Sequence, residues 1–229
     1  MAKLKGGLIL SCQAPADSPL HQPAMIAAIA TAGVNRGAVG VRLDTPTHVA
    51  AVRQQVTVPI IGLWKQQIPG FEVYITPQFC HAEAIAAAGA DIIAIDATDR
   101  PRPDGETVAS LIAQIHSQLG KWVMADVDSL ENAIAAAEAG ADIVGTTLYG
   151  YTPATQHRKP PGFDLLTQMV DALDCCLICE GGIASPATAR QAIDQGADAV
   201  VVGTAITGID LQVIAYDAAL RADGAIGQA

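Results

Sequence analysis

Ala88-Gly-Ala-Asp91 recurs unchanged as Ala139-Gly-Ala-Asp142, and Gln195-Gly-Ala-Asp198 and Arg36-Gly-Ala-Val39 are variants of it. Each copy closes a helical stretch and opens an apolar run. The glycine suits the left-handed residue that ends a helix, and the residue after Gly-Ala enters a sheet. Outward from these turns the alternation covers the whole chain. Strands are expected at Gly7 to Gln13, Ala38 to Arg42, Ile60 to Lys65, Asp91 to Thr98, Trp122 to Asp126, Asp142 to Thr147, Cys176 to Gly181 and Ala199 to Gly203. Helices are expected at Gln78 to Ala88, Thr107 to Leu119, Leu130 to Ala139, Pro186 to Gln195 and Leu211 to Arg221, with a short extended piece at Val73 to Thr76. Repeated βα units over 229 residues predict a single (β/α)8 TIM barrel, one domain over residues 1–229. No G-x-G-x-x-G follows the first strand, which speaks against a dinucleotide-binding fold.

Composition narrows the function. A chain 51% hydrophobic and 16% charged, with no linker-like stretch, can fill one sizeable core. Its net charge of -10 lacks the basic footprint that nucleic acid requires. A small anion is still admissible, because bulk charge is screened beyond roughly 8 Å at physiological ionic strength. The apolar run after Lys3 and Lys5 is too short for a signal sequence or a membrane span, so the expectation is a cytoplasmic protein with no membrane partner. Cys12, Cys80, Cys175, Cys176 and Cys179 fall in strand-like or helix-like runs and read as buried thiols of a reducing compartment. Cys176 and Cys179 form a C-x-x-C, but no second pair or nearby His completes a zinc set, so no metal is expected.

Polar residues stand where the apolar strands stop. Pro59-Ile-Ile-Gly-Leu-Trp-Lys65 ends on a lysine that shares a face with Leu63 and Ile61 if the strand continues, and reaches water if Lys65 lies just past it. On the first reading the charged form is disfavoured and a neutral amine becomes available as a base. The same alternation puts Gln13, Arg42, Asp96, Asp126 and Glu180 on inward faces at strand ends, so they should converge with Lys65 at the carboxyl mouth of the barrel. Unpaired desolvated groups are costly, which favours a working site over core filling. Glu180-Gly-Gly-Ile183 and Val202-Gly-Thr-Ala205 follow strands seven and eight, where loop amides commonly hold a phosphate. Gly181, Gly182, Gly203 and Thr204 are the residues expected there. The five histidines, His21, His48, His81, His116 and His157, are scattered and read as surface residues.

Three segments carry a family resemblance: Lys65 with Val73-Tyr-Ile-Thr-Pro77, then Asp96 to Gly105, then Thr146 to Pro153. With Gly7 to Gln13 and Ala38 to Arg42 they resemble the N-acetylmannosamine-6-phosphate 2-epimerases over nearly the whole chain. The resemblance implies a cofactor-independent enzyme interconverting N-acetylmannosamine 6-phosphate and N-acetylglucosamine 6-phosphate, in sialic acid breakdown, and a homodimer. It implies that Lys65 moves the C2 proton with Glu180 as its partner, and that Gln13, Arg42 and Asp126 line the sugar pocket. Two positions depart from the family. Gly182 stands where members often carry arginine, and Gly208 where an arginine soon after the last strand is expected to hold phosphate.

The chemistry fits these residue types. Loss of the C2 proton of an open-chain sugar gives an enolate that donors must stabilise, and a desolvated amine suits the abstraction. A Schiff-base lyase built on Lys65 is one alternative, and a non-catalytic phosphosugar-binding barrel is another.

Overall fold

The computed structural model describes residues 4–222; Lys3, and residues 223–229 of the expected domain, lie outside the described residues. Eight parallel strands close into a barrel in sequence order, with β8 paired back to β1. They are β1 (Gly7–Cys12), β2 (Gly40–Asp44), β3 (Ile60–Leu63), β4 (Ile92–Asp96), β5 (Trp122–Asp126), β6 (Ile143–Gly145), β7 (Cys176–Glu180) and β8 (Ala199–Val202). The TIM barrel is therefore the fold. Strand two begins and ends two residues later than expected, and Lys65 lies two residues beyond the end of β3.

The helices are α1 (Pro23–Val34), α2 (Pro46–Arg53), α3 (Phe79–Ala87), α4 (Val108–Gln114), α5 (Leu130–Glu138), α6 (Phe163–Ala172), α7 (Pro186–Asp194), α8 (Thr204–Thr207) and α9 (Ile209–Ala222). The run expected as one helix over Thr107 to Leu119 is divided, α4 giving way to a π turn at Ile115–Leu119 that ends on left-handed Gly120. Side-chain caps start several helices: the hydroxyls of Thr107, Ser129 and Ser185 each accept the backbone N–H three residues on.

The Gly-Ala turns work as expected. Gly37, Gly89, Gly140 and Gly196 all have φ near +100° (+107°, +105°, +99° and +102°). The aspartate after them has a further task. Asp91 donates its N–H to Ile60 O and accepts the Ile60 N–H on its carboxylate. Asp142 forms the same reciprocal pair with Val123, and Asp198 with Leu177. Each turn thus clamps the foot of one strand to its neighbour, and Val39, which has no carboxylate, makes only the backbone half, to Leu8 O.

Burial divides the apolar residues into two sets. Between strands and helices lies the larger, which includes Val41, Leu43, Ile93, Ile95, Val123 and Cys179. Inside the barrel lies the smaller, with Ile9, Ile61, Leu63, Ala94, Met124, Ile178 and Val201 among its members. Alternate residues of each strand supply the two sets, as period two requires. Continuing the interior set by two residues along its strands reaches Ser11, Lys65, Asp96, Asp126, Glu180 and Gly203, at the carboxyl mouth.

Candidate active site

A cavity of about 810 Å³ opens at that mouth, lined by residues of the loops after most of the strands. Beneath it Arg42 is the central group; expected to line the pocket, Arg42 and Asp126 are instead buried below the cavity lining, where the ion pair that joins them shuts out solvent. Arg42 Nη1 donates to Asp126 Oδ1 at 3.0 Å and to Glu180 Oε2 at 2.7 Å, and its Nη2 to Asp126 Oδ2 at 2.6 Å. Strands β2, β5 and β7 are thereby tied across the barrel. The Arg42 side chain is 2% exposed, Asp126 0% and Glu180 13%. Thr147, beyond β6, donates its hydroxyl to Asp126 Oδ1 at 2.7 Å and also lies 3.2 Å from Glu180 Oε2.

Ionisation follows from this crowding. Burial works against the charge on Arg42, yet Asp126 and Glu180 hold it protonated, above the ordinary arginine range. Glu180 is raised to about 7, first by burial and then by the Asp126 charge, against the opposing pull of Arg42. One guanidinium shared between two carboxylates leaves the second carboxylate easy to protonate.

Across the cavity Lys65 is held differently. Its Nζ donates to Gln13 Oε1 at 2.5 Å, and its backbone N–H donates to Asp44 Oδ1 at 2.9 Å. Solvent reaches Lys65 along the open cavity, but enough protein surrounds the amine for desolvation to lower its pKa, more than Asp44 and Glu180 raise it. Asp44 was not anticipated from sequence: β2 runs two residues further than expected and carries it to the cavity.

The extended piece after β3 explains where Lys65 points. Residues 64–66 pair antiparallel with 74–76: Lys65 bridges Ile75, Gln66 N–H donates to Tyr74 O, and Thr76 N–H to Trp64 O. The ribbon then joins β4, because Asp96 N–H donates to Ile75 O. It also covers Asp96. That carboxylate is fully buried but turned to Thr98 and to Arg100 Nη2 at 2.7 Å, and does not line the cavity with Gln13, Lys65 and Glu180. Arg100 Nη1 donates to Glu72 O and Arg102 Nη1 to Pro77 O, so the Asp96 to Gly105 segment latches the ribbon in place.

The glycine pair lines the cavity with Thr204. Gly182 has φ +69°, and a Cβ there would meet the Pro160 backbone carbonyl carbon at 2.7 Å. A Cβ on Gly208 would meet Thr204 Cα at 2.8 Å. Neither position has room for an arginine unless the backbone moves. Arg42, committed to its two carboxylates, is no substitute for them at the cavity wall.

His48 is not a surface residue, and His21, His81 and His116 are only half exposed. His48 is 2% exposed, its ring nitrogens at Asp44 O (3.0 Å) and His21 O (2.6 Å). His21 lines the cavity beside Gln13, with Nδ1 on Ala14 O at 3.0 Å. An isolated histidine gives no sequence signal of burial; the packing of the turn after β1, which ends on His21, against the start of α2, which carries His48, creates it. In the loop after β6, Tyr149 and Thr152 pack inward, while Tyr151 is exposed and borders the cavity. Among the described residues, no group of three or more His, Cys, Asp or Glu is arranged to hold a metal, and no helix is long and apolar enough to cross a membrane.

Residues 26–222 match the family described as "Putative N-acetylmannosamine-6-phosphate epimerase". A Synechococcus elongatus protein named "Putative N-acetylmannosamine-6-phosphate 2-epimerase" is 66% identical over 224 residues, 97% of each chain. A protein of the same name from Thermosynechococcus vestitus is 62% identical over 221 residues, 96% of each. The solved N-acetylmannosamine-6-phosphate 2-epimerase of Clostridium perfringens superposes with a TM-score of 0.91 at 36% identity, covering 96% of this chain and 95% of that one.

Proposed function

Because the chain belongs to the N-acetylmannosamine-6-phosphate epimerase family, we propose that it interconverts N-acetylmannosamine 6-phosphate and N-acetylglucosamine 6-phosphate, in the breakdown of sialic acid. Lys65, as a neutral amine, takes the C2 proton of the open-chain sugar. The C–H electron pair moves toward C1, and the C1 oxygen gains the charge. Return of a proton to the opposite face of C2 completes the inversion. Such a proton transfer needs a base and donors for the enolate, and no cofactor.

The observation that carries this reading is that Lys65, just past β3, and Glu180, at the end of β7, line one cavity, the amine on Gln13 and the carboxylate on Arg42. A depressed lysine facing a raised carboxylate is the pairing that acid–base work at neutral pH requires. Glu180 is the partner of Lys65 and the candidate second acid/base group. Asp126 and Thr147 set the position of Glu180 through Arg42 and a shared hydroxyl. Phosphate is held by backbone amides at Gly181, Gly182, Gly203 and Thr204. The crowding at Gly182 and Gly208 supports an anion site built on main chain in this protein.

A homodimer is part of the proposal. Along α9, Leu211, Val213, Ile214, Tyr216 and Leu220 are exposed, an apolar surface for a second copy to cover. Light scattering at a defined protein concentration tests it, and a monomer mass throughout would remove it.

The test of the reaction is isotopic. In deuterated water the product gains deuterium at C2, and Lys65→Ala abolishes the exchange. Exchange persisting in that variant would take Lys65 out of the role, and borohydride trapping of a substrate adduct on Lys65 would move the enzyme to the lyases.

A further inference from the structure

An enolate at C1 needs a hydrogen-bond donor that is not already spent on the protein. Several donors near the reacting groups are already taken. Arg42 Nη1 and Nη2 are taken by Asp126 and Glu180, and its unpartnered Nε is buried below the cavity lining. Thr147 Oγ1 is taken by Asp126, at 2.7 Å. Gln13 Nε2 donates to Ser11 Oγ at 3.1 Å, while its Oε1 receives the Lys65 amine. The loop amides after β7 and β8 belong to the far wall, where the phosphate is proposed to sit.

Tyr74 remains. It stands on the ribbon that bridges Lys65, packs against the interior apolar set and lines the same cavity as Lys65 and Glu180. Among the described residues, its hydroxyl has no hydrogen-bond acceptor on the protein. Tyr74 is partly buried and lines the cavity, so a phenol with no acceptor on the protein is a donor available to a ligand there. Its placement is also elaborately secured. Arg100 and Arg102, anchored in the segment after β4, hold the backbone on either side of it at Glu72 O and Pro77 O.

We propose that Tyr74 is a catalytic residue, its phenol donating a hydrogen bond to the C1 oxygen of the substrate as that oxygen becomes an enolate. The inference rests on the epimerase reading above. The balance is simple: Lys65 gains the C2 proton, the electron pair ends on the C1 oxygen, and the phenol shares its proton with that oxygen without losing it. Burial, followed by the charges of Asp126 and Asp96, holds the Tyr74 hydroxyl above the ordinary phenol range. It is therefore a donor and not a competing base at neutral pH. The family resemblance marks the Val73 to Pro77 segment; the structure adds a reason for a tyrosine within it.

Tyr74→Phe removes one oxygen and keeps the ring in the interior packing. Loss of a single enolate donor is expected to lower kcat by about 10²-fold, with KM within twofold and the melting temperature within a few degrees. Replacing Tyr74 by 3,5-difluorotyrosine keeps the shape and lowers the phenol pKa, so the alkaline fall in kcat moves to lower pH. A Tyr74→Phe enzyme that keeps kcat, or changes KM alone, overturns the proposal, as does an alkaline limb that fluorination leaves in place. Wild-type enzyme that fails to exchange C2 in deuterated water is a different result: it removes the epimerase reading, and the role of Tyr74 falls with it.

Discussion

The two rims of the barrel use carboxylates in opposite ways. At the amino rim, Asp91, Asp142 and Asp198 each accept a backbone N–H from the neighbouring strand, and each also meets one partly exposed side chain, Arg53, His116 and Lys5 respectively. At the mouth, Asp126 and Glu180 share a single buried guanidinium. At the amino rim each aspartate therefore keeps an acceptor role beside water, whereas the mouth couples its ionisations so that one carboxylate is raised to about 7. A carboxylate thus fastens strands at one end and poises a proton at the other, because water is plentiful at one rim and displaced at the other.

The sharpest way to break this contrast is Arg42→Ala. Two buried carboxylates would then face each other without a cation, and urea unfolding should show a loss of about 3–5 kcal/mol together with loss of epimerase activity. If stability is unchanged, the floor is not the coupled unit described. A smaller loss is expected from Asp96→Asn, which weakens the latch on Arg100: about 1–3 kcal/mol by the same measurement. Its kcat should also fall, since the ribbon it holds carries Tyr74 and pairs with Lys65. An Asp96→Asn enzyme with full kcat would separate the latch from the chemistry. At the amino rim, Asp142→Asn should cost about 1 kcal/mol and leave kcat and KM alone. A change in kcat there would show that the rims are not independent.

The gentlest test is a slope. Folded Glu180 holds its proton to about 7, whereas the ordinary value for the unfolded chain is 4.5. Between those values the folded state binds more protons, so this group makes stability fall as pH rises from about 4.5 to about 7. Melting temperatures of wild type and Glu180→Gln across that window should diverge in slope, the variant lacking the contribution. Parallel curves would mean that Glu180 is not raised.

What was readable beforehand differs along the chain for identifiable reasons. The alternation of period two predicts the inward faces of Arg42, Asp126 and Glu180 because strand direction is a local property, whereas for Lys65 it leaves two readings, and the residue lies just past β3. The alternation was right about Asp96 facing inward and could not foresee that the ribbon over Ile75 would cover it. Asp44 was missed because the end of β2 is set by pairing with β3, where Asp44 sits opposite Leu63. His21 and His48 were read as surface residues because nothing local marks two rings that meet edge to face at 4.7 Å only when separate loops are packed together.

The amino-acid order alone determined the repeating βα unit, the left-handed glycine turns and the set of strands whose polar ends face inward, since each depends on a few neighbouring residues. Closure of the barrel decided the rest: that Arg42 reaches Asp126 and Glu180, that Asp96 leaves the mouth for Arg100, and that Tyr74 lines the cavity of Lys65 with no protein acceptor for its hydroxyl among the described residues. Those contacts join residues distant along the chain, and their ionisation depends on how much water the assembled mouth excludes.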